Sequence, residues 1–172
     1  LEILVSPNGH QEAGAWRTSI LERPEIRQIS HFVAIERVGP GYADATATTS
    51  ELAAKTGQRV ESAALNDWRP GHCSNMRGES IDEFSADLHL LIESAKARNP
   101  NVKFIGIGDG GNELGMGRFP RDELISRITG SNAHRIPCRI SADATIVAGV
   151  SNWGAYALAA AIAVQHDRVD LL

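Results

Sequence analysis

Nowhere in these 172 residues do eighteen apolar side chains run together, so no membrane-spanning helix is expected. Basic residues are the minority. The 17 Lys and Arg stand against 21 Asp and Glu, for a formal net charge of −4. Phosphate backbones demand a concentrated positive face, so this balance argues against nucleic acid as a partner. Only two cysteines occur, Cys73 and Cys138, too few for a disulfide framework; both are expected to be reduced, intracellular thiols. The opening LEILVSPNGHQ carries no initiator Met and no basic-then-apolar targeting pattern. It starts directly on a strand-like run, and the expectation is a chain whose upstream strands are missing.

What is present belongs to an ordinary globular protein, 42% hydrophobic and 22% charged, long enough to bury a core as one domain over 1–172. Four nearly continuous apolar runs, Leu1–Ser6, His31–Ile35, Val102–Ile107 and Ala144–Val150, suit strands buried on both faces of a sheet. Between them, Ile81, Phe84, Leu88, Leu91 and Ile92 share a helical stripe that predicts a helix over 81–97. Residues 155–165, AYALAAAIAVQ, predict a second helix packed closely on the sheet. Strands alternating with helices imply an α/β fold, a mostly parallel sheet flanked by helices. The Ala/Thr-rich segment 41–69 breaks this rhythm and reads as a surface insertion, helical in part around Ser50–Lys55.

In such sheets ligands gather where strands end at their carboxyl side. One of these ends reads GIGDGGNELGMG over 106–117, with six of the chain's sixteen glycines, two carboxylates and no lysine or arginine. Gly106, Gly108 and Gly111 match G-x-G-x-x-G in form only. Asp109 would repel a pyrophosphate, and the glycines of 112–117 make a poor first helical turn. No Gly-Lys-Ser/Thr follows, which rules out a P-loop. A loop of this kind suits a ligand with an anionic and a cationic end, such as an amino acid. Backbone amides at Gly110 and Gly111, with the Asn112 side chain, can hold a carboxylate. Asp109 or Glu113 can pair with an ammonium or take its proton. Either carboxylate can equally cap a tight turn; the strand-end position favours a ligand role for Asp109, while for Glu113 both roles stay open. A divalent metal on that pair also stays open, without an evident third ligand.

Two other strand ends carry polar groups. Glu36-Arg37 reads as a surface ion pair or, for Arg37, as a carboxylate clamp. Arg77, in Asn75-Met76-Arg77, is a second candidate clamp. Ser151 and Asn152 read as an ordinary helix N-cap or as donors to an oxyanion. His72 and Cys73 are adjacent, which is poor spacing for a metal, and Cys73 reads as an incidental thiol.

The blocks VAIERVGPG, SNMRG, GIGDGGNELGMG and VAGVSNWGAYALAAA occur in this order between Val33 and Ala161. Together they resemble the D-glutamate cyclase family, of which this chain would be the C-terminal part. The resemblance implies an enzyme that converts D-glutamate to 5-oxo-D-proline with loss of water. Asp109 is then a general base or ammonium partner, and Glu113 an acid or metal ligand. Asn112 and Asn152 become donors, Arg37 and Arg77 clamps, with Asn75 and Ser151 lining the substrate. It also implies a compartment, the cytoplasm of a bacterium or the mitochondrial matrix of a eukaryote. Three departures stand out: no upstream acidic Gly/Pro block; residues 41–69 interrupting the run to the 73–77 segment, which has Ser74 where the family has Tyr; and Ala155 where it has a second glycine. Two further readings remain, a non-catalytic amino-acid-binding domain and a nucleoside-cofactor enzyme of methyltransferase type. A homo-oligomer stays open.

Overall fold

The computed structural model describes residues 2–7, 10–42 and 71–171. Three strands form one sheet: β1 (His31–Ile35), β2 (Lys103–Gly108) and β3 (Ala144–Val147), in the order β1-β2-β3 and parallel throughout. Four α-helices accompany it: α1 (His10–Glu22), α2 (Leu88–Arg98), α3 (Arg121–Arg127) and α4 (Ser151–Gln165). The expected α/β fold with a parallel sheet is what the chain adopts.

Both faces of the sheet are covered by different means. Ala34, Phe104 and, partly, Phe32 point to one side, where they join Ile92 of α2 and the buried Leu114, Met116, Cys138, Ile140 and Ala142. Behind α2, the α1 residues Ile20 and Leu21 pack on Leu91 and Ala95. On the other face lies α4, which touches all three strands. It approaches closely because Gly154 has no side chain: a Cβ there would stand 2.8 Å from Ile107 Cγ2.

The register places Ile35 beside Ile107, and Ile107 beside Ile146. The three strands therefore end together, and the residues that follow them meet at one edge. The glycine loop then folds back on its own strand. A Cβ on Gly106 would collide with the Leu114 carbonyl, and Gly111 and Gly115 take φ of 104° and 105°, which disfavour any side chain.

Several expectations need correction. The run Leu1–Ser6 is no strand over its described part: residues 2–7 are unpaired, with Ile3 and Val5 about four-fifths exposed. Glu2 is held to Arg23 by a two-bonded ion pair (3.0 and 2.6 Å), and that tether offers no ladder of backbone partners. The helix expected over 81–97 begins only at Leu88. Asp87 sits at φ 47°, and Asp82–Phe84 form a separate 3-10 turn with Phe84 exposed. The last strand stops at Val147, not Val150, and the helix after it starts at Ser151, taking in the whole Ser-Asn-Trp-Gly block. Apart from Gly41 and Tyr42, the segment 41–69 lies outside the described residues.

Candidate functional site

Three carboxylates converge at the strand ends. Glu36 follows β1, Asp109 follows β2, and Glu113 closes the glycine loop; one oxygen from each lies within 4.8 Å of the others. Glu36 lies more than seventy residues from the other two and is joined to them by the β1–β2 register. Glu36 and Asp109 are exposed, while Glu113 is 2% exposed. Glu36 has φ 54°, uncommon for a side chain of its kind, and its N–H donates to the Ile107 carbonyl at 3.1 Å.

The loop owes its shape to Glu113. Its Oε1 accepts from the amides of Asp109 (3.2 Å) and Gly110 (2.9 Å), and its Oε2 from Gly111 (2.8 Å). These are the N–H groups that would cradle a phosphate or carboxylate in a glycine-rich loop. Here the protein's own carboxylate fills that nest, and no lysine or arginine is called for. Asn112 is 5% exposed and donates through Nδ2 to the Ser74 carbonyl at 2.8 Å, which ties the loop to the 73–77 segment.

Asp109 does different work. Its Oδ2 accepts from the Ser151 amide at 3.1 Å, so it caps the N-terminus of α4. Ser151 is fully buried, and its hydroxyl has no hydrogen-bond partner among the described residues. Asn152 is exposed on the first turn of the same helix.

Beside the loop opens a cavity of about 590 Å³, whose polar floor is Asp109, Gly110 and Gly111. Its apolar wall includes Met76, Met116, Phe119, Leu124, Ile128 and Val147, and Glu123 and Arg127 of α3 complete it. Neither Arg37 nor Arg77 lines it. Arg37 is exposed and its carbonyl accepts from Leu114 N at 2.7 Å; Arg77 is exposed and its carbonyl accepts from Asn132 Nδ2 at 3.1 Å. The Asn75 side chain is engaged within its own turn, by Arg77 N (2.9 Å), Glu79 N (3.1 Å) and the Glu79 carboxylate (2.7 Å). The structure thus brings Asp109, Gly110 and Gly111 to the cavity with Glu113 behind them, and leaves Arg37, Arg77 and Asn75 outside its lining.

Two residues escaped the sequence reading of the site. Glu36 supplies the third carboxylate, and its position directly after a strand was the available signal. Arg127 had none, since its place depends on how α3 folds back over the loop. The thiols are both free and buried. Burial raises the Cys73 thiol and pushes Cys138 up to about 12, so neither is a ready nucleophile. His72 pairs with Asp82 and has Ser80 Oγ at 3.3 Å, away from any chelating geometry.

A hard cation of the Mg²⁺ or Ca²⁺ type prefers oxygen donors, and Glu36, Asp109 and Glu113 are an all-oxygen set from two chain segments. Among the described residues no helix is long and apolar enough to cross a membrane.

Comparison with known proteins supplies the family. Residues 59–171 match the family described as D-glutamate cyclase-like, C-terminal. The chain is also 33% identical over 144 residues to the human protein named D-glutamate cyclase, mitochondrial. That alignment covers 84% of this chain but 18% of the human protein, so the chain spans about a fifth of its relative's length.

Proposed function

The chain belongs to the D-glutamate cyclase-like family, and from that premise we propose that its strand-end corner carries a lyase reaction, the cyclisation of D-glutamate to 5-oxo-D-proline and water. The observation that supports this most is the placing of Asp109, an exposed carboxylate on the cavity floor, beside Glu36 and the loop-bound Glu113.

The chemistry is demanding in three places. The substrate ammonium must give up a proton before its nitrogen can attack the γ-carboxyl carbon; Asp109 receives the ammonium and takes that proton. The C–N bond forms as the carbonyl π pair moves onto oxygen, and the tetrahedral oxyanion needs donors. Asn152, exposed on the first turn of α4, supplies them. The nitrogen then sheds its second proton, the C–O bond breaks as the carbonyl re-forms, and the two protons shed by nitrogen end on the departing oxygen, which leaves as water. Glu36, exposed at the same corner, relays a proton from the nitrogen to that oxygen. Glu113 receives three loop amides, which suits an organiser of the loop and a cation ligand more than a proton donor. A divalent cation held by Glu36, Asp109 and Glu113 would offset their mutual repulsion and polarise the substrate carboxyl.

The test is a chiral product assay with D- and L-glutamate, run with EDTA and with added Mg²⁺ or Mn²⁺, on this chain and on a longer version of the protein. 5-Oxoproline from D-glutamate alone supports the reading, and the EDTA arm reports the cation. No product in any arm, with D-glutamate still raising the melting temperature, would mark an amino-acid-binding domain instead.

A further inference from the structure

Glutamate presents the corner with an electrostatic problem. It carries two carboxylates and one ammonium, and the site it must approach already holds Glu36, Asp109 and Glu113. Some group must receive the α-carboxylate, which takes no part in ring closure. Of the residues lining the cavity, Arg127 is the one cation among those described.

We propose that Arg127 is the specificity-determining clamp for the substrate α-carboxylate, a reading that rests on the cyclase assignment above. Asp109 and Arg127 line the same cavity, one acidic and one basic, which is the charge pattern an α-amino acid requires. The guanidinium is held at the rim by its own helix: Nη2 donates to Glu123 Oε1, four residues earlier, at 2.9 Å. That bond uses one of five N–H donors and leaves a fork for a second, bidentate carboxylate. Glu123 lines the cavity too and acts as the placeholder that orients Arg127 before substrate arrives. Leu124 and Ile128, beside Arg127 on the chain, contribute to the apolar wall, while the guanidinium itself stays exposed at the mouth of the cavity, where an incoming carboxylate can reach it. Fixing the α-carboxylate at Arg127 and the ammonium at Asp109 leaves the γ-carboxyl as the only reactive end free to swing toward the nitrogen. The clamp thereby selects amino acids over simple amines and sets the handedness the corner accepts.

The experiment measures binding by calorimetry and, in parallel, KM and kcat, for D-glutamate and for 4-aminobutyrate, which has the same amine and terminal carboxyl but no α-carboxylate. Proteins compared are the wild type, Arg127→Gln, Arg127→Lys and, as a charge-matched control, Arg168→Gln, whose arginine pairs with Asp170 and does not line the cavity. Arg127→Gln is expected to weaken D-glutamate roughly 10- to 100-fold in Kd and KM with kcat changed less than about threefold. Arg127→Lys should fall between, since it keeps the charge and loses the fork. Arg168→Gln should match the wild type, and 4-aminobutyrate should bind weakly and equally to all four. Equal D-glutamate binding by the wild type and Arg127→Gln would overturn the clamp while leaving the cyclase reading intact. Parallel loss of 4-aminobutyrate in Arg127→Gln would overturn it as well, because Arg127 would then serve another part of the ligand. A wild type that neither binds nor converts D-glutamate would overturn both.

Discussion

The glycine loop after β2 and the helix α4 after β3 sit at the same edge of one sheet, yet they are held in opposite ways. The loop satisfies itself: Glu113 takes three of its amides, Asn112 anchors it to Ser74, and Leu114 and Met116 turn into the core. The helix is fastened by its first turn and little else. Asp109 caps it at Ser151, Gly154 seats it on Ile107, and only Ser151, Gly154 and Ala163 are buried along fifteen residues. Trp153, Tyr156, Ile162 and Val164 remain more than half exposed. A polar, charged loop is thus more deeply embedded than an apolar helix. Hydrogen bonds within a few residues can be completed locally, whereas an apolar side chain needs a partner surface to cover it.

Asp109 joins the two regions, and the largest effect is expected there. Asp109→Asn should abolish turnover of D-glutamate, by about 10³-fold or more, because the base is gone. Asparagine still caps a helix, so stability should fall by less than about 1 kcal/mol. Near-normal product formation by this variant would remove Asp109 from the chemistry.

Glu113→Ala tests whether the loop really is self-made. Three amides at Asp109, Gly110 and Gly111 would lose their acceptor, with an expected loss of about 3 to 5 kcal/mol in urea unfolding. A loss below about 1 kcal/mol would mean water replaces the carboxylate at no cost, and the contrast with α4 would collapse.

His134 offers a third case, a titratable ring that is only 3% exposed. Burial, with Arg135 and Arg121 nearby, lowers it to about 4. The unfolded ring titrates near 6.5, so the unfolded state binds the extra proton first. Stability from the neutral ring is whole above pH 6.5, declines as pH falls toward 4, and is flat below. Unfolding free energies from urea at pH 7 and pH 4.5 should differ by about 2 kcal/mol, an acid sensitivity that His134→Gln lacks. Identical pH dependence in the two proteins would place the sensitivity elsewhere.

The smallest effect belongs to the outer side of α4. Tyr156→Ser should change stability by no more than about 0.5 kcal/mol, since that side chain is 70% exposed. A loss above 1 kcal/mol would show that this face is packed against something in solution.

Much of the fold was legible because β-branched runs suited to a doubly buried strand announce themselves, and His31–Ile35, Val102–Ile107 and Ala144–Val150 each gave a strand within a few residues. Leu1–Ser6 has the same composition and gave none over its described part, because composition cannot supply a neighbouring strand. The stripe from Ile81 to Ile92 was periodic, yet Asp87 at φ 47° separates its two ends. At the site, Asp109 was readable from its place after a strand. Glu36 as its partner was not, since the two are 73 positions apart.

By itself the sequence determined three strands, two apolar helix faces, a loop that admits only glycine where it folds on itself, and membership of a family. These follow from steric and hydrophobic rules that act over a few residues. Tertiary structure alone decided that Glu36, Asp109 and Glu113 meet, that Glu113 fills the amide nest, and that Arg127 rather than Arg37 or Arg77 shares the cavity. Those outcomes depend on the parallel register of β1 with β2 and on the return of α3 across the loop. Distance in space between charged groups is set by packing, and no spacing along the chain encodes it.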